Sequence, residues 1–418
     1  FYVAKIMNFA IDAIKNKLNF SSINTAQKSH AQIGIGAAVS YSNQTNNSEA
    51  KVGSNADIQS AGNVTVQSTL TDQVIRQAAN ATVDSKSTKD KQSYTKENGG
   101  AAAVAVAEYN DNSTAFINDS AKIDLSGKLD ILSIYSLPYE ITWYKINGIS
   151  DITDKLNSNL GVQNGFVNTW ARASVSTEGE DGETGTFGFA GAFNVTDYNS
   201  ANKAYIGKNV EVNQRNLYSS KGDVTVQAKT ETSTINFSGN IGLTFFGDKA
   251  SNGLGASYVQ VGYDTYNEAY IDDNAKIGTS KLTVDSAILK RDITMAVSGG
   301  KAEGFGFNGA FSWVDSTNNS LSHVSDSAKI NSAGNAAITA DDDTTVYNIA
   351  GGVVKSKNRG IGAAVGISDI TRNTSAYLGA AEGSSLTLDS TYADLYVFNA
   401  ADLTIKATQE GDIYAYSL

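Results

Sequence analysis

Large apolar residues alternate with small residues at a period of two in several stretches of the chain. In IGIGAAVSY, which begins at Ile33, the residues Ile35, Val39 and Tyr41 fall on one side, and glycine, alanine and serine fall on the other. The stretch FNGAFSW from Phe307 alternates in the same way. Successive side chains of a strand point to opposite faces of a sheet, so this pattern predicts β-strands.

The same pattern recurs six times with one internal order. Each repeat starts at an anchor glycine, has small residues three and four positions later, a large residue at position five, and alanine or serine at position sixteen. Five repeats have Ile or Val eight residues further on, whereas the sixth has Ser384 there and Leu386 two places later. A further predicted strand follows, such as GNVTVQS from Gly62 and GDVTVQA from Gly222. The anchors are Gly34, Gly99, Gly188, Gly253, Gly306 and Gly360.

Strands separated by polar runs, in a repeat of tens of residues, are typical of β-solenoids. Asn, Asp and Ser dominate runs such as NQTNNS, and these residues favour turns. We therefore predict an all-β fold, a right-handed parallel β-helix or β-solenoid, over residues 30–136 and 172–418. At roughly 20 residues per coil, each repeat would hold about three coils, and the whole would be a rod on the order of 80–100 Å long.

Two segments depart from the repeat. Apolar residues four apart from Ile6 to Leu18 predict one face of a helix, so we expect residues 1–29 to flank or cap the solenoid. Residues 137–171 form an insertion with helical character, which Gly161 weakens. We expect one or two short helical insertions of this kind to pack on the solenoid.

The small side of the first repeat consists of Gly34, Gly36, Ala38 and Ser40. Side chains of this size indicate that another layer of chain approaches closely, and the flanking helix is the layer we consider first. A G-x-G start also opens dinucleotide-binding loops, but those loops lead directly into a helix. Here the alternation continues after the glycines, so no nucleotide cofactor is predicted.

Composition narrows the classes of partner. The net charge of −11 argues against a nucleic-acid groove and against an anionic membrane surface. No run of about 18 apolar residues is present, so we expect no membrane insertion of this segment. The chain has no cysteine, one proline and two histidines, which leaves too few ligands for a structural zinc site and fits an exported bacterial protein.

Three stretches carry a family resemblance: NSANKAYIGKNVEVN from Asn199, YNEAYIDDNAKIG from Tyr266 and TSAYLGAAEGSSLTL from Thr374. They resemble the passenger repeats of leukotoxin-like filamentous adhesins, haemagglutinin-type exoproteins of fusobacteria and their relatives. The resemblance implies an extracellular or cell-surface scaffold that acts in adhesion or leukocyte toxicity. It also implies a host-cell receptor or glycan as partner, and export by two-partner secretion or as an autotransporter. The full-length protein would then need an outer-membrane secretion partner.

Residues with catalytic or ligating chemistry are scattered along the chain. The acidic runs Asp341–Asp343 and Asp272–Asp273 offer carboxylates for calcium, but solvated turns between coils account for them better. We therefore predict no enzymatic activity, no cofactor and no metal site.

Aromatic residues near the insertion are the better candidates for recognition. Trp143, Tyr144 and Trp170 lie in or beside it, and loops on rigid scaffolds often carry binding residues, among which Trp and Tyr are common. We predict that these three residues form a binding surface of an adhesin segment. Two alternatives stay open at this point, a β-helix polysaccharide lyase or hydrolase and an outer-membrane β-barrel.

Overall fold

A computed structural model describes residues 33–72, 77–86, 98–137, 169–178, 185–239, 250–379 and 397–418. Within these ranges the chain forms 21 β-strands and no helix. The paired strands run parallel to one another. The prediction of an all-β chain with parallel sheets is confirmed.

The strands form three sheets, and each repeat supplies one layer to every sheet. Sheet A contains β1 (Ile33–Val52), β5 (Asn98–Ile117), β9 (Gly185–Ile206), β12 (Ala250–Ile271), β15 (Phe305–Val324) and β18 (Arg359–Leu378). Sheet B contains β2 (Asp57–Ser60), β6 (Lys122–Leu125), β10 (Glu211–Val212), β13 (Lys276–Thr279), β16 (Lys329–Ser332) and β19 (Val397–Asn399). Sheet C contains β3 (Val64–Thr71), β7 (Leu129–Leu137), β11 (Val224–Gly239), β14 (Leu282–Ala302), β17 (Ala336–Ser356) and β20 (Leu403–Glu410), together with β4 (Gln77–Lys86), β8 (Thr169–Glu178) and β21 (Ile413–Ser417).

The register of the sheets follows the repeat seen in the sequence. Gly34 lies opposite Gly99 and Gly99 opposite Gly188, and the pairing continues in sheet A through the other anchor glycines. In sheet C, Val64 pairs with Leu129 in the same way. A slip of one residue would turn every inward side chain outward, so the alternation itself specifies this register.

One expectation about the repeat is wrong. Each repeat forms a single layer rather than about three coils, because the Asn-rich runs expected to be turns continue the strands of sheet A. In β1 the strand passes through NQTNNS without a break. A strand of 20 residues is about 65 Å long, whereas six stacked strands span only about 24 Å from first to last.

Asparagine side chains explain why these runs stay extended. Asn112 Nδ2 donates to Asn47 Oδ1 at 2.9 Å, and Asn199 Nδ2 donates to Asn110 Oδ1 at 2.9 Å. Each bond joins equivalent or nearly equivalent positions of adjacent layers. Such ladders satisfy the polar side chains within the sheet, so the stacked neighbours override the local preference for a turn.

The sixth repeat also differs from the expected alignment. Phe398 of β19, rather than Leu386, lies opposite Ile330 in sheet B. The connection before β19 is therefore longer than the two inserted residues that the sequence comparison predicted, and Leu386 lies outside the described residues.

Sheets A, B and C meet around an aliphatic core at one end of the layers. In the second layer Ile117 of sheet A, Ile123 of sheet B and Ile131 of sheet C are all fully buried, and equivalent residues of the neighbouring layers join them in one cluster. Burial of each such side chain contributes about 1.5–3 kcal/mol. Sheet B thus closes the turn between the two long sheets.

The middle of the interior is polar. Asn202 Nδ2 donates to the Lys229 carbonyl oxygen at 2.7 Å, and one layer on Asn267 Nδ2 donates to the Ala287 carbonyl oxygen at 2.7 Å. The Thr230 hydroxyl donates to Asn267 Oδ1 at 2.6 Å. These bonds connect sheet A to sheet C and supply the partners that buried polar groups need.

The small side of the repeated strand faces this interior, and a strand of sheet C covers it. Ala38 packs against an alanine-rich cluster that includes Ala79 of β4 and Ala103 of β5. In the last layer the approach is closer, since a Cβ on Gly362 would lie 2.4 Å from the carbonyl oxygen of Gly352. The expected close layer is therefore present, but it is a strand and not the flanking helix.

Most of the two predicted helical segments lies outside the described residues. The structure does not describe residues 1–32 or residues 138–168. The two ends of the predicted insertion are strand, because Leu137 is the last residue of β7 and Thr169 is the first residue of β8. Both strands belong to sheet C, so the insertion interrupts one layer of that sheet.

We expect Ala103→Leu to destabilise the fold, because Ala103 is fully buried between sheets A and C. Overpacking at such a position lowers the free energy of unfolding by about 1–3 kcal/mol. Ala37→Leu is the control, since this alanine is exposed on the outer face of sheet A and a change there costs within about 0.5 kcal/mol. Urea unfolding measures both variants, and equal losses would contradict the assignment of the inner face.

Candidate functional site

Of the three aromatic residues singled out in the sequence, the structure describes Trp170 alone. Trp143 and Tyr144 lie outside the described ranges. Trp170 lies in β8 and is only 7% exposed. Its ring meets the edge of the Phe237 ring, with centroids 6.2 Å apart at 63°.

The direction of Trp170 follows from its neighbours. The Thr169 hydroxyl accepts a hydrogen bond from Asn194 of sheet A at 2.8 Å, and Ala171 belongs to the alanine cluster between the sheets. Alternation therefore places Trp170 on the side of sheet C that faces away from sheet A. It is buried on that side, so it offers no free surface to a partner.

Exposed apolar side chains lie instead on the outer face of sheet A, which points away from sheet C. In the inner layers of this face, Phe187 and Phe193 of β9 and Phe305 of β15 are 36%, 40% and 37% exposed. We call the outward positions one, three, five and seven residues after each anchor glycine the apolar zone. Contiguous exposed apolar surface of this kind usually marks an interaction site.

Aromatic rings fill the apolar zone in its central layers. The rings of Tyr258 and Phe311 stack with centroids 5.3 Å apart, and Phe193 lies 6.4 Å from Tyr258 in a tilted arrangement. Phe193 is 40% exposed. In-register stacking thus turns single apolar positions into a continuous ridge across the strands.

A row of small residues lies within the apolar zone, three residues after each anchor glycine. The row consists of Ala37, Ala102, Gly191, Ala256, Gly309 and Ala363, which pair across sheet A. A Cβ on Gly191 would lie 3.1 Å from the ring of Phe189 and 3.3 Å from that of Phe193. The neighbouring rings lean over this row, so the outer face combines an apolar ridge with a shallow depression.

The outer face beyond the apolar zone is polar and acidic. Glu108, Asp197, Asp315 and Asp369 occupy one row, nine residues after their anchor glycines. Burial and the neighbouring Glu108 raise the pKa of Asp197 to about 6, and burial and Asp369 raise the pKa of Asp315. Gly262 fills the layer between them, and a Cβ there would lie 2.3 Å from Asp197 Oδ1.

A second aromatic ladder lies farther along the same face. Phe116, Tyr205, Tyr270, His323 and Tyr377 stack with successive centroids 4.8, 4.8, 5.1 and 4.9 Å apart. Burial lowers the pKa of His323, so its ring is neutral at pH 7. The inner rings cover one another's faces, so the ladder presents ring edges and not the open faces on which sugars or bases stack.

A carboxyl pair lies inside the first two layers. Asn46 Nδ2 donates to Asp111 Oδ1 at 2.9 Å and to Asp72 Oδ1 at 3.2 Å, and the Tyr135 hydroxyl donates to Asp111 Oδ2 at 2.9 Å. Burial and the nearby Asp111 raise the pKa of Asp72 to about 7. Asp72 therefore takes up a proton near neutral pH.

Over the described residues, no group of three or more His, Cys, Asp or Glu side chains is arranged to hold a metal ion. The same residues include no helix with both the length and the apolar character needed to cross a bilayer. The chemistry offered by the outer face of sheet A is nonpolar contact beside an acidic row.

Sequence reasoning identified the alternation but not the surface that it creates. Five of the six repeats have an apolar residue at position one, and all six have one at position five, as in Ile35 and Val39. The signal that identifies the outer face is the opposite side, which at positions zero, two and four is small or polar in every repeat. The interior is narrow at these positions, so the large residues beside them lie outside.

Comparisons with protein-family models, with curated proteins and with solved structures gave no match to this chain. The residues and their geometry therefore carry the functional argument.

We expect the protein to be more stable at pH 5 than at pH 7. The folded-state pKa of Asp197 is about 6 and lies above the unfolded value, so its contribution is complete below about pH 4 and is lost as the pH rises through about 6. Asp197→Asn should remove this part of the dependence and raise the free energy of unfolding at pH 7 by on the order of 1 kcal/mol.

Denaturant unfolding at pH 5, 6 and 7 measures this effect. Asp402→Asn, at an exposed carboxyl, is the control and should retain the wild-type pH profile. Identical profiles for wild type and Asp197→Asn would contradict the account of the acidic row.

Proposed function

We propose that the chain is a right-handed β-solenoid that serves as an adhesive scaffold, a segment of a secreted or surface-exposed bacterial exoprotein. Six layers in one register support the solenoid, since each repeat passes through sheets A, B and C in the same order. The finer assignment to a leukotoxin-like filamentous adhesin rests on the resemblance of the repeats. The proposed role requires no catalysis by this segment.

The apolar zone is the observation that carries the adhesive role. A scaffold that only separated other domains would place polar residues on its outer face, because exposed apolar surface promotes unwanted association. Here Phe193, in an inner layer, is 40% exposed, and the stacked rings of Tyr258 and Phe311 continue its row. We propose that the zone contacts a host-cell surface protein or glycan, or a matrix component.

The rest of the structure supplies rigidity to that surface. Backbone groups of inner layers pair with strands on both sides, and hydrogen bonds such as that from Asn373 Nδ2 to Asn319 Oδ1 at 3.0 Å tie the side chains as well. A surface held in this way loses little conformational entropy on binding. For the full-length protein, we propose an outer-membrane secretion partner and an extracellular location.

The apolar zone predicts which substitutions abolish adhesion. Ile361→Glu combined with Val365→Glu places two charges in the zone, at positions 51% and 47% exposed. Binding of the labelled protein to host cells and to immobilised matrix should be saturable for wild type and weaker by about tenfold or more for this variant.

The matched control is Thr371→Glu combined with Asn373→Glu. It adds the same two charges to exposed positions on the same face of the same strand, but outside the apolar zone. We expect it to bind like wild type. Equal binding by both double variants, or no saturable binding by wild type, would overturn the adhesive role of this surface.

A further inference from the structure

Four ionisable or amide side chains meet in the interior between sheets A and C. Lys290 and Asp292 come from β14, Asn318 from β15 and Asp342 from β17. Each is at most 1% exposed. We call these four residues the Lys290 cluster.

The amine of Lys290 is held by contacts on several sides. Nζ donates to Ser316 Oγ at 3.0 Å and to Asn318 Oδ1 at 3.5 Å. It lies 3.6 Å from Asp292 Oδ2 and 3.7 Å from the centroid of the Tyr263 ring. A flexible side chain is thereby fixed with its nitrogen beside the side-chain amide of Asn318.

Burial favours the neutral form of this amine. It lowers the pKa of Lys290, and it raises the pKa of Asp292. Removal from water disfavours both charges, so burial favours the neutral amine and the neutral carboxyl more than water does. A desolvated, unprotonated lysine is a nucleophile, as in enzymes that use lysine for covalent catalysis.

The amide of Asn318 is held from the opposite side. Its Nδ2 donates to Thr344 Oγ1 at 2.8 Å and to Asp342 Oδ2 at 3.3 Å. Its Oδ1 accepts the hydrogen bond from Lys290. The amide therefore has an amine at its oxygen and a carboxyl group at the nitrogen that would be expelled.

We propose that Lys290 and Asn318 form an intramolecular amide cross-link. The Nζ lone pair attacks Cγ of Asn318 and forms a new C–N bond. The bond from Cγ to Nδ2 breaks, and one proton passes from Nζ to the departing nitrogen, with the carboxyl of Asp342 beside Nδ2 as the relay. One ammonia leaves, and no oxidant, reductant or other reactant is needed. Fixed geometry of this kind replaces an improbable encounter in water, and Asp342 acts first as base and then as acid.

The cross-link would join the two facing sheets. Lys290 lies in sheet C in one repeat, and Asn318 lies in sheet A in the next, 28 residues along the chain. A covalent bond that closes such a loop stabilises a fold mainly by constraining the unfolded chain, as disulfides do. This chain has no cysteine, so an amide bond is a covalent constraint that remains open to it.

Intact-mass spectrometry of the purified full chain tests the proposal. Wild type should weigh less than its sequence by one ammonia, and trypsin should fail to cleave after Lys290. Fragmentation should then identify one branched peptide that contains both Lys290 and Asn318. Lys290→Met and Asn318→Ala should each have the full expected mass.

Two further variants separate this chemistry from a structural role. Lys281→Met, at an exposed lysine, should retain the mass loss. Asp342→Asn should slow the loss during incubation while circular dichroism stays that of wild type. Folded wild-type protein that keeps its full mass and is cleaved after Lys290 would overturn the proposal. A mass loss of one water would instead indicate a bond from Lys290 to a carboxyl group. That result would overturn the choice of Asn318 as the partner of Lys290.

Discussion

In-register stacking of like residues is the constraint on which the rest of this structure depends. Adjacent layers have nearly the same order of large, small and polar side chains. Asparagines therefore hydrogen-bond to asparagines of the next layer, and aromatic rings stack on aromatic rings. A pair of this kind contributes little alone, and the same pair repeated along a sheet fixes both the register and the extended backbone.

The narrow space between sheets A and C follows from that constraint. It determines which side chains lie on the inner face and which lie on the outer face of sheet A. Small residues on the inner side let the sheets approach until Gly352 and Gly362 have no room for a Cβ. Polar side chains such as Asn202 and Asn267 then bridge the sheets and rigidify the interior. In the first positions after the anchor glycines the interior has no room for large apolar residues, so there they line the outer face of sheet A, which we propose as the adhesive surface. The Lys290 cluster arises from the same crowding of polar groups away from water.

The sequence predicted the fold class and the register, and it failed where stacking overrides local preference. Six anchor glycines and the strands that follow them were aligned correctly from the repeat alone. The run NQTNNS was interpreted as a turn, because turn propensity is a local property and the Asn ladder that keeps it extended exists only between layers. The alternation separates two faces of a strand but does not identify the buried one. The apolar zone is therefore not predicted from the sequence, and Trp170 is predicted at a surface. Phe398 was not placed because the residues before it follow no repeat pattern.

The central claim is that each repeat forms one layer whose residues pair with the equivalent residues of the next. The natural chain has no cysteine, so engineered pairs report this register directly. Asn319 and Asn373 are partners in sheet A, and Asn319 and Thr371 are two positions out of register. Adjacent strands place partners about 4.8 Å apart, within disulfide reach, and the offset pair beyond it. We predict that Asn319→Cys with Asn373→Cys oxidises readily and that Asn319→Cys with Thr371→Cys stays reduced. Equal oxidation of both pairs, or oxidation of the offset pair alone, would contradict the account.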